Sequence, residues 1–570
     1  MRPRFGVLSC ASAWMLFAAC GDDNRVSGAE GAGGSAAGGN LDTGSGSAMG
    51  GGTGTGGRGS GGAATTGGRT GSGGASTMGG ASGVGGFTAT GGSPAAGGLT
   101  GTSAGGTSGA TTGLVGTGGV TGSGGTRGAG GVLGRGGAVL DGGPRDGGGG
   151  PTDARADAPM GDAPAMDVAA LDTPLGRTNT CVGPSSAALA NASLPAGYCA
   201  WTWASNLSAP RGIARNAKGD ILVIEQSAGR VTLLHDDDGS GVSDSNERVV
   251  LVTASGLNHG IALFGGYLYA SSATTVYRWA YKGDRQPLGS AQTVVTEIPS
   301  GGHSTRTLLF DKDGNLYVSV GSQSNLDTNI ERARIVRYRA SALGGSSTFA
   351  EGEAFATGLR NEVGIALDGQ GRVWGVENGS DNLSRSDLGG DIHTDNPGEE
   401  LNLFAQPGRF YGYPYCWTEF SLPSSAGMGR GTQWAYSSTM NDGTHSDAWC
   451  RNTTNVVPPV LVMQAHSAPL DIKFYAGGAF PADLTGSALV TFHGSWNRSP
   501  ATGYQVVRIP FGQDGMPSGD PMPFLEYSGA GDTGTGWPHR PVGIETGIDG
   551  RLFVTSDDSG IVIAIGHNGS

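Results

Sequence analysis

The sequence predicts an all-β fold, a six-bladed β-propeller, in the C-terminal part of the chain. Between positions 210 and 565 one unit recurs six times: a short apolar run, a turn that contains glycine, and a second apolar run. The first copy runs from Arg211 to Val223 and the last from Arg540 to Val554. A unit that recurs in this way is the sequence signature of a propeller or a solenoid.

Further apolar runs extend each unit to four strands. Arg230–Leu234 and Val249–Thr253 follow the first unit, and Ile335–Tyr338 and Ala354–Thr357 follow the third. The turn Asp313-Gly314 is a strong hairpin signal between the first two strands of its unit. Four antiparallel strands repeated six times are typical of a six-bladed propeller.

Two irregularities refine this prediction. The last unit ends at Ile565 with only three strands, and the unassigned run Ala200–Ala204 precedes the first unit. We expect this run to supply the outermost strand of blade six, because joining the chain's ends removes an exposed sheet edge. The units are about 50 residues apart except on blade four, which predicts an insertion at Ser380–Asn455. Long loops in compact domains are usually functional.

The N-terminal residues predict export. Two arginines precede an apolar stretch from Phe5 to Ala19, which is too short to span a membrane and is typical of a secretory signal peptide over residues 1–20. Phe17-Ala-Ala-Cys20 resembles a bacterial lipobox, which predicts a lipid anchor at Cys20 and attachment to the cell envelope. The alternative is an ordinary signal peptide cleaved nearby.

Residues 21–178 predict a disordered linker. They consist mainly of Gly, Ser, Thr and Ala and hold about half of the 111 glycines. Such a composition cannot bury enough apolar surface to offset the entropy of ordering. A Gly-rich coil of this length has an end-to-end distance of roughly 70 Å, which would hold the propeller of residues 179–570 away from a membrane surface.

The cysteines and the net charge limit the function. Cys181, Cys199, Cys416 and Cys450 are an even number in a domain predicted to be exported, and pairing by proximity is the simplest of three connectivities. No Cys-x-x-Cys-His segment for haem attachment occurs. The formal charge of −13 opposes nucleic-acid binding.

Arginine and histidine residues concentrate in the loops of one face. The strands of a blade alternate in direction. The loops that connect the outermost strand of one blade to the innermost strand of the next therefore open on the same face as the loops between the second and third strands within a blade. Five of the nine histidines fall in these loops. Arginine recognises carboxylates bidentately, so this rim predicts a small polyanionic ligand, with histidines as general bases. The rim residues include Arg211, His259, His303, Arg306, Arg360, Asn361, His466, His493, Arg498, His539 and Arg540.

The loop region of blade four is rich in oxygen donors. Such a density suits a hard cation such as calcium, although the spacing does not match an EF-hand. An acidic, solvated loop is the alternative interpretation. The donors are Glu377, Asn378, Gly379, Ser380, Asp381, Asp391, Asp395, Glu399, Glu400 and Asn402.

At these residues the chain resembles the soluble quinoprotein sugar dehydrogenases, the glucose and sorbosone dehydrogenase family with its pyrroloquinoline quinone (PQQ)-dependent pyranose dehydrogenase relatives. The resemblance covers roughly residues 194–565. Its segments are Gly302-His-Ser-Thr-Arg306, Leu359-Arg-Asn361, Glu377-Asn-Gly-Ser380, Pro397-Gly-Glu-Glu-Leu-Asn402, Gly412-Tyr-Pro414, His493-Gly-Ser-Trp-Asn-Arg498, Arg540-Pro-Val-Gly543 and Ser556-Asp-Asp-Ser-Gly560.

The resemblance implies a six-bladed propeller with PQQ and calcium over its central channel. His303 then matches the catalytic base, Arg360 and Asn361 match the pair that contacts the quinone, and Arg540 matches an arginine that binds a PQQ carboxylate. Asn378, Gly379 and Ser380 match the calcium-binding positions, Asn378 through water. The rim position alone adds Arg211, His259, Arg306, His493 and Arg498 as candidate cofactor-binding residues.

The predicted function is oxidation of a sugar or polyol hydroxyl, with hydride transfer to PQQ and electrons passed to an external acceptor. Two alternatives stay open: a calcium-dependent lactonase-type hydrolase on the same fold, and a non-catalytic surface propeller that binds glycans. A fold alone does not decide between them. The dominance of Arg and His over carboxylates on the rim favours the anionic cofactor.

Overall fold

The computed structural model describes residues 178–529 and 537–569. The predicted signal peptide, its Cys20 and the predicted linker up to residue 177 lie outside these ranges. Within the described ranges, no helix is long and apolar enough to cross a membrane.

The predicted six-bladed β-propeller is confirmed. Six sheets follow one another along the chain, and the strands of each are antiparallel neighbours. They run in sequence order from the innermost strand outward, except that the N-terminal strand Tyr198–Ala204 is the outermost strand of blade six. In blades one to three these strands are Pro210–Arg215, Ile221–Glu225, Arg230–Leu234 and Arg248–Thr253; Ile261–Phe264, Tyr267–Ser271, Val276–Ala280 and Gln292–Thr296; and Leu308–Phe310, Leu316–Val320, Arg334–Tyr338 and Glu353–Thr357. In blades four to six they are Glu362–Leu367, Val373–Glu377, Glu399–Leu403 and Leu461–Met463; Pro469–Phe474, Ala488–Phe492, Gln505–Ile509 and Met522–Tyr527; and Pro541–Thr546, Leu552–Ser556, Ile561–His567 and Tyr198–Ala204.

Shorter elements decorate the ring. Three two-residue strands, Ala192–Ser193, Ser347–Thr348 and Arg409–Phe410, pair with the outermost strands of blades five, two and three. Two small hairpins, Ser384–Arg385 with Gly390–Asp391 and Cys416–Thr418 with Gln433–Ala435, lie outside the blades. One α-helix spans Asp447–Cys450, and 3-10 turns span Ala187–Leu189, Gln226–Ala228, Ser245–Glu247, Ala340–Gly344, Phe349–Glu351, Ser386–Leu388, His393–Asp395 and Ala482–Leu484.

The ring closes as the sequence predicts. Tyr198–Ala204 pairs antiparallel with Ile561–His567 and completes blade six. The predicted disulfide Cys181–Cys199 is present, with the two Cα atoms 5.9 Å apart, and ties the preceding segment to this strand. Blade six therefore contains both ends of the propeller, and Ile561–His567 is not left as the open edge of the sheet.

The predicted insertion of blade four is not a single loop. Glu399–Leu403 lies inside Ser380–Asn455 and is the third strand of the blade, paired with Val373–Glu377. The range therefore divides into a loop before this strand and a longer excursion after it. The predicted disulfide Cys416–Cys450 is present in the excursion, with a Cα separation of 5.7 Å.

The core lies between the blades, because each sheet is covered on both faces by its neighbours. In the second strand of blade one, Ile221 and Val223 pack toward blade six, while Leu222 and Ile224 pack toward blade two. Successive side chains of a strand point to opposite faces, so a strand buried on both faces becomes a continuous apolar run. Apolar clusters of this kind fill all six interfaces between blades.

Glycines let the innermost strands converge near the axis. A Cβ atom on Gly212 would lie 1.8 Å from the carbonyl oxygen of His259, and one on Gly260 would lie 1.9 Å from that of Arg306. Hydroxyl groups then link neighbouring blades: Ser271 Oγ donates to the Arg306 carbonyl at 2.7 Å. The close approach fixes the residues that precede these glycines around the axis.

Candidate functional site

The residues implied as catalytic line one cavity on the propeller face. A cavity of about 440 Å³ is bounded by His303, Arg360, Asn361, Asn378 and Gly379. These residues come from the loop before blade three and from blade four, which adjoin around the axis. The cavity is completed by Asp381, Glu399, His466, Ala468, Gly494, Ser495, Trp496 and Asn497.

The hydrogen bonds of His303 fix its tautomer. Its Nδ1 atom lies 3.1 Å from the carbonyl oxygen of Ser322 and 2.9 Å from the Ser322 hydroxyl. That hydroxyl donates its own hydrogen to the Ser324 carbonyl at 2.8 Å, so it can only accept from His303. Both neighbours of Nδ1 are acceptors, which places the proton on Nδ1 and leaves a lone pair on Nε2.

The imidazole of His303 is neutral at physiological pH. Burial and, to a smaller extent, the positive charge of Arg360 lower its pKa to about 3. A neutral imidazole with a free lone pair can accept a proton, which is what a general base requires.

The guanidinium of Arg360 has a partner for each of its nitrogens. Its Nη2 atom forms an ion pair with Asp381 at 2.8 Å, and its Nε atom donates to the Asn325 carbonyl at 3.2 Å. Its Nη1 atom donates to the carbonyl oxygens of Gly379 at 2.6 Å and of Asn378 at 3.3 Å. Of the two main-chain oxygens that the resemblance assigns to calcium, those of Gly379 and Ser380, the Gly379 oxygen therefore points toward a positive charge.

The loop after the second strand of blade four is held rigidly. Asn378 Nδ2 donates to the Asn361 carbonyl at 3.2 Å and to the Pro469 carbonyl at 2.8 Å. Gly379 N donates to Glu399 Oε2 at 2.7 Å, while the other oxygen of Glu399 accepts from Ala468 N at 3.1 Å. Glu399 thereby connects blade four to blade five.

Ser380 and Glu399 are buried behind this loop. The Ser380 hydroxyl accepts a hydrogen bond of 2.9 Å from the Tyr436 hydroxyl, and Tyr436 belongs to the blade-four excursion. Burial raises the pKa of Glu399 to about 7. A Cβ atom on Gly379 would lie 2.7 Å from Pro397 Cγ, so this position is restricted to glycine.

Beneath the cavity lies a cluster of buried carboxyl groups. The amide nitrogen of Asn402 lies 3.3 to 3.5 Å from oxygens of Glu362, Glu377 and Glu400. Burial raises the pKa of Glu362 and Glu377 well above the usual range, and the charge of Glu400 raises both further. Glu377 also accepts a 2.5 Å hydrogen bond from the main-chain nitrogen of Arg360. Glu377, Glu400 and Asn402, which the sequence places in the oxygen-rich loop region of blade four, instead lie within strands, and Glu377 holds the main chain of Arg360.

A second group of cationic residues adjoins the cavity at blades five, six and one. Arg211 forms an ion pair with Asp557 through Nη1, and Asp557 also contacts Nε2 of His493 at 2.9 Å. Arg540 donates to the carbonyl oxygens of His493 at 3.1 Å and Gly494 at 3.0 Å. Gly494 lines the His303 cavity, so the two groups are contiguous.

Polar atoms in this second group are buried without partners. Only 2% of Arg211 is exposed, and its Nε and Nη2 atoms have no acceptor. The Nδ1 atom of His259 is also buried and unpartnered. Burial and, to a smaller extent, the charge of Arg211 lower the pKa of His259 to about 3. Unused donors of a buried guanidinium are suited to an anion.

Arg306 and Arg498, two of the predicted cofactor-binding residues, form hydrogen bonds or ion pairs with other residues of the protein. Arg306 donates to the carbonyl oxygens of His303 at 2.9 Å and Pro299 at 2.7 Å, and it is fully buried. Arg498 forms an ion pair with Asp395 at 2.9 Å on the rim. These contacts describe residues that position loops, and direct cofactor contacts by Arg306 and Arg498 stay predictions.

Three further residues matter to the geometry: the sequence gives Asp381 only as an oxygen donor of blade four, includes Asp557 only in a matching segment, and does not single out Ser322. Ser322 orients the His303 ring, Asp557 links Arg211 to His493, and Asp381 pairs with Arg360. Asp381 and Asp557 occur in loops that the sequence places on the correct face. Ser322 carries no signal, because a serine after a strand is common at any turn.

The fold is a six-bladed propeller with a cavity on one face that contains a neutral histidine and adjoins a buried arginine with unpartnered nitrogens. The chain belongs to the TrAA12-like family, which matches residues 192–568. A protein of Hypocrea jecorina named pyrroloquinoline quinone-dependent sugar dehydrogenase is 34% identical over 391 residues, which cover 63% of this chain and 86% of that protein.

Further relatives have related names or structures. A pyrroloquinoline quinone-dependent pyranose dehydrogenase of Coprinopsis cinerea is 33% identical over 395 residues, and the match spans 63% of this chain and 52% of that longer protein. The solved holo form of the Coprinopsis cinerea pyranose dehydrogenase PQQ domain has a TM-score of 0.59 at 29% identity and covers 68% of this chain and 100% of its own. A calcium structure of Trichoderma reesei Carbohydrate-Active Enzymes Family AA12 has a TM-score of 0.59 at 32% identity, covering 66% of this chain and 97% of that chain.

The predicted membership of the PQQ-dependent sugar dehydrogenase family is therefore confirmed, and with it the oxidoreductase class. The relatives named above are dehydrogenases, which favours this class over the lactonase-type and glycan-binding alternatives.

Proposed function

We propose that the chain oxidises a hydroxyl group of a sugar in the His303 cavity, with PQQ as the hydride acceptor. One observation carries the proposal: the Nε2 lone pair of a neutral His303 shares a cavity with Arg360 and Asn361. The names of the relatives support the choice of cofactor and substrate class.

The residues present fit an anionic cofactor. PQQ carries three carboxylates, and the two unpartnered nitrogens of Arg211 are donors that such a carboxylate can satisfy. Arg540 adds a second positive charge next to the loop of His493 and Gly494. We assign the carboxylate end of the cofactor to these arginines and the quinone end to Arg360 and Asn361.

When bound, PQQ supplies the quinone that takes up the hydride from the sugar carbon. His303 accepts the proton of the hydroxyl at Nε2, while Ser322 holds the ring in place through Nδ1. The guanidinium of Arg360 stabilises the negative charge that develops during the transfer. Asp381, Asn325 and the carbonyls of Asn378 and Gly379 keep this guanidinium in position.

Calcium binding in this cavity is also proposed, and it requires one hydrogen bond of Arg360 to break. Carbonyl oxygens are ligands that calcium prefers, and those of Asn378 and Gly379 point toward positive charge. The charge they face is the guanidinium of Arg360, so calcium at Gly379 requires Arg360 to release that carbonyl. Ser380 is proposed as the neighbouring ligand. The relative solved as a calcium structure supports calcium in the family.

Export, the lipid anchor at Cys20, the linker and an external electron acceptor are proposed on the sequence alone. Together they describe an enzyme held at the cell envelope that oxidises sugars outside the cytoplasm and passes electrons to a separate carrier. The signal pattern of residues 1–20 is the observation that supports this location.

The test is reconstitution of the purified protein with PQQ and calcium, followed by sugar-dependent dye reduction. We expect His303→Ala to lower the rate by roughly 10²- to 10⁴-fold, the usual contribution of a general base. PQQ binding, measured by absorbance, should persist. Ser322→Ala is the graded control, because the main-chain acceptor of Nδ1 remains and the loss should be smaller. Full activity of His303→Ala, or no PQQ binding by the wild type, contradicts the proposal.

A further inference from the structure

A second oxygen-rich segment lies on blade one, away from the His303 cavity. It connects the third strand, Arg230–Leu234, to the outermost strand, Arg248–Thr253, and reads Asp-Asp-Asp-Gly-Ser-Gly-Val-Ser-Asp-Ser-Asn-Glu over residues 236–247. The 12-residue calcium loop of EF-hands places ligands at positions 1, 3, 5, 7, 9 and 12 and glycine at position 6. The residues at these ligand positions are Asp236, Asp238, Ser240, Val242 through its carbonyl, Asp244 and Glu247, with Gly241 at position 6.

The folded loop brings the key positions together. Carboxylate oxygens of Asp236, Asp238 and Glu247 lie within 4.8 Å of one another, although these residues are up to eleven positions apart in sequence. Gly241 has a φ of 82°, which a glycine adopts without strain, and its N–H donates to Asp236 Oδ2 at 3.1 Å. The loop therefore has the turn that the ligand order requires.

The neighbouring acid faces the other way. Asp237, at the non-ligand second position, forms an ion pair with Arg285 at 2.6 Å and lies 3.2 Å from Nδ1 of His235. Its charge is thus balanced outside the loop, whereas the acids at positions 1, 3 and 12 face one another. This division of acids follows the ligand pattern and is not what a uniformly solvated acidic surface would produce.

One buried oxygen in the loop has no hydrogen-bond partner. The Oδ1 atom of Asp236 is buried and accepts no hydrogen bond. Glu247 is itself 95% buried, being 5% exposed. A buried carboxylate oxygen without a donor, surrounded by other carboxylates, is a position for a cation.

We propose that residues 236–247 bind a calcium ion that is separate from any ion in the catalytic cavity and that stabilises the closure of the propeller. Oxygen donors at six positions of the loop, with a glutamate at the twelfth, suit calcium better than magnesium, which requires a smaller octahedral shell.

The loop contacts the strand that closes the ring. Trp201 Nε1 donates to the Gly241 carbonyl at 2.5 Å, and Ser243 N donates to the Trp203 carbonyl at 2.7 Å. Both tryptophans belong to Tyr198–Ala204, the outermost strand of blade six. An ion that rigidifies the loop therefore stabilises the junction between the two ends of the propeller.

The two tryptophans also provide the assay. Terbium, which substitutes for calcium, emits when a nearby tryptophan is excited, so terbium titration of the PQQ-free, calcium-stripped full chain reports on the loop. We expect tryptophan-sensitised emission that calcium displaces, and a rise in the thermal unfolding midpoint on addition of calcium. Calcium content after dialysis should be about one ion per chain higher in the wild type than in Asp238→Asn.

Asp238→Asn is the main variant, because Asp238 is exposed and its replacement uncovers no buried group. We expect it to weaken terbium and calcium binding at this loop on the order of 100-fold, and Glu247→Gln to do the same. The matched control is Asp237→Asn, one position away and turned toward Arg285, which should keep wild-type affinity.

The outcomes separate this proposal from the proposed function. Asp238→Asn should retain PQQ-dependent dye reduction at saturating calcium, whereas failure of the catalytic proposal would leave terbium binding at the loop intact. Unchanged calcium content, terbium emission and unfolding midpoint in Asp238→Asn overturn the proposal. Equal weakening by Asp237→Asn overturns it as well, because the effect would then be that of net charge.

Discussion

The carboxylate of Asp557 is predicted to hold together the cationic half of the site. Its two oxygens contact Arg211 and His493, and the guanidinium of Arg211 has no acceptor at Nε or Nη2. Burial alone would raise the pKa of Asp557, but its contact with His493 and the positive charge of Arg211 lower it below the ordinary range. Asp557 is therefore ionised and balances the charge of a buried arginine.

The perturbation is Asp557→Asn, which keeps the shape and removes the charge. Removing one partner of a buried ion pair destabilises a protein by about 3–5 kcal/mol, since the other charge stays buried and unpaired. The Asp557 side chain is 13% exposed, and asparagine can still accept one hydrogen bond. We therefore expect the lower end, about 3 kcal/mol, in the PQQ-free protein. The loss should shrink when PQQ carboxylates supply the missing negative charge.

The assay is urea unfolding followed by tryptophan fluorescence, with and without PQQ. Asp558→Asn is the matched control, because Asp558 is the next residue and is exposed, so its effect should stay within about 0.5 kcal/mol. A loss below about 1 kcal/mol in PQQ-free Asp557→Asn would refute the argument. So would a loss that PQQ leaves unchanged, because Arg211 would then not face the cofactor.

The pH dependence provides an independent check on the same residue. The folded-state pKa of Asp557 lies below its ordinary value near 4. A lowered carboxyl pKa contributes stability that is present above this ordinary value and is lost as the pH falls through the folded-state pKa. The difference in stability between the wild type and Asp557→Asn should therefore be constant at neutral pH and decrease on acidification below about pH 4.

Two further predictions concern stability away from the cofactor. Replacing Cys416 and Cys450 by serine removes a cross-link between residues 34 positions apart, which should destabilise the protein by about 3–4 kcal/mol in the chain-entropy description. Denaturation of the double variant under oxidising conditions measures this loss, and an unchanged midpoint contradicts it. Asp471 lines the axial channel, and burial raises its pKa to about 7. A carboxyl group with a raised pKa contributes stability that is fully present below about pH 4 and is lost as the pH rises through 7. Asp471→Asn should therefore reduce the fall in the free energy of unfolding between about pH 4 and pH 8. An unchanged dependence of this free energy on pH would contradict the prediction.

The fold could be predicted because its determinants are local. The third strand of blade one, Arg230–Leu234, matches the prediction at both ends, and the closing strand differs by two residues at its start. Strands buried on both faces give continuous apolar runs, and glycine turns mark their ends. Neither signal depends on contacts with distant parts of the chain.

The third strand of blade four escaped prediction because its buried face is polar. Glu399–Leu403 reads Glu-Glu-Leu-Asn-Leu, a pattern that suggests a solvated loop. In the fold, Glu400 and Asn402 face the buried cluster with Glu362 and Glu377, while Leu401 packs in the core. Three carboxyl groups that share one amide nitrogen can be buried only because the folded structure brings them together. No local propensity encodes that arrangement.

The chemical types at the site could be predicted, but the partners of each side chain could not. Arg211 and Arg306 occupy equivalent positions at the start of the innermost strands of blades one and three. The sequence therefore predicts the same role, cofactor binding, for both. In the structure, Arg306 donates to carbonyls of its own loop, whereas two nitrogens of Arg211 have no acceptor. The difference arises from which neighbouring backbone each guanidinium reaches, and that is set by packing between blades.

The different hydrogen bonding of Arg360 and Arg211 also predicts which end of the site binds a ligand first. At the blade-four end, Arg360 is engaged with Asp381, Asn325 and Gly379, so a ligand atom can bind there only by replacing one of these contacts. At the opposite end, a carboxylate that bound to Nε and Nη2 of Arg211 would break no hydrogen bond, because Asp557 contacts only Nη1. A polyanion should therefore bind first at Arg211, and rearrangement of Arg360 should follow. Stopped-flow binding of PQQ would then show a fast step that Asp557→Asn alters and a slower step that it leaves unchanged.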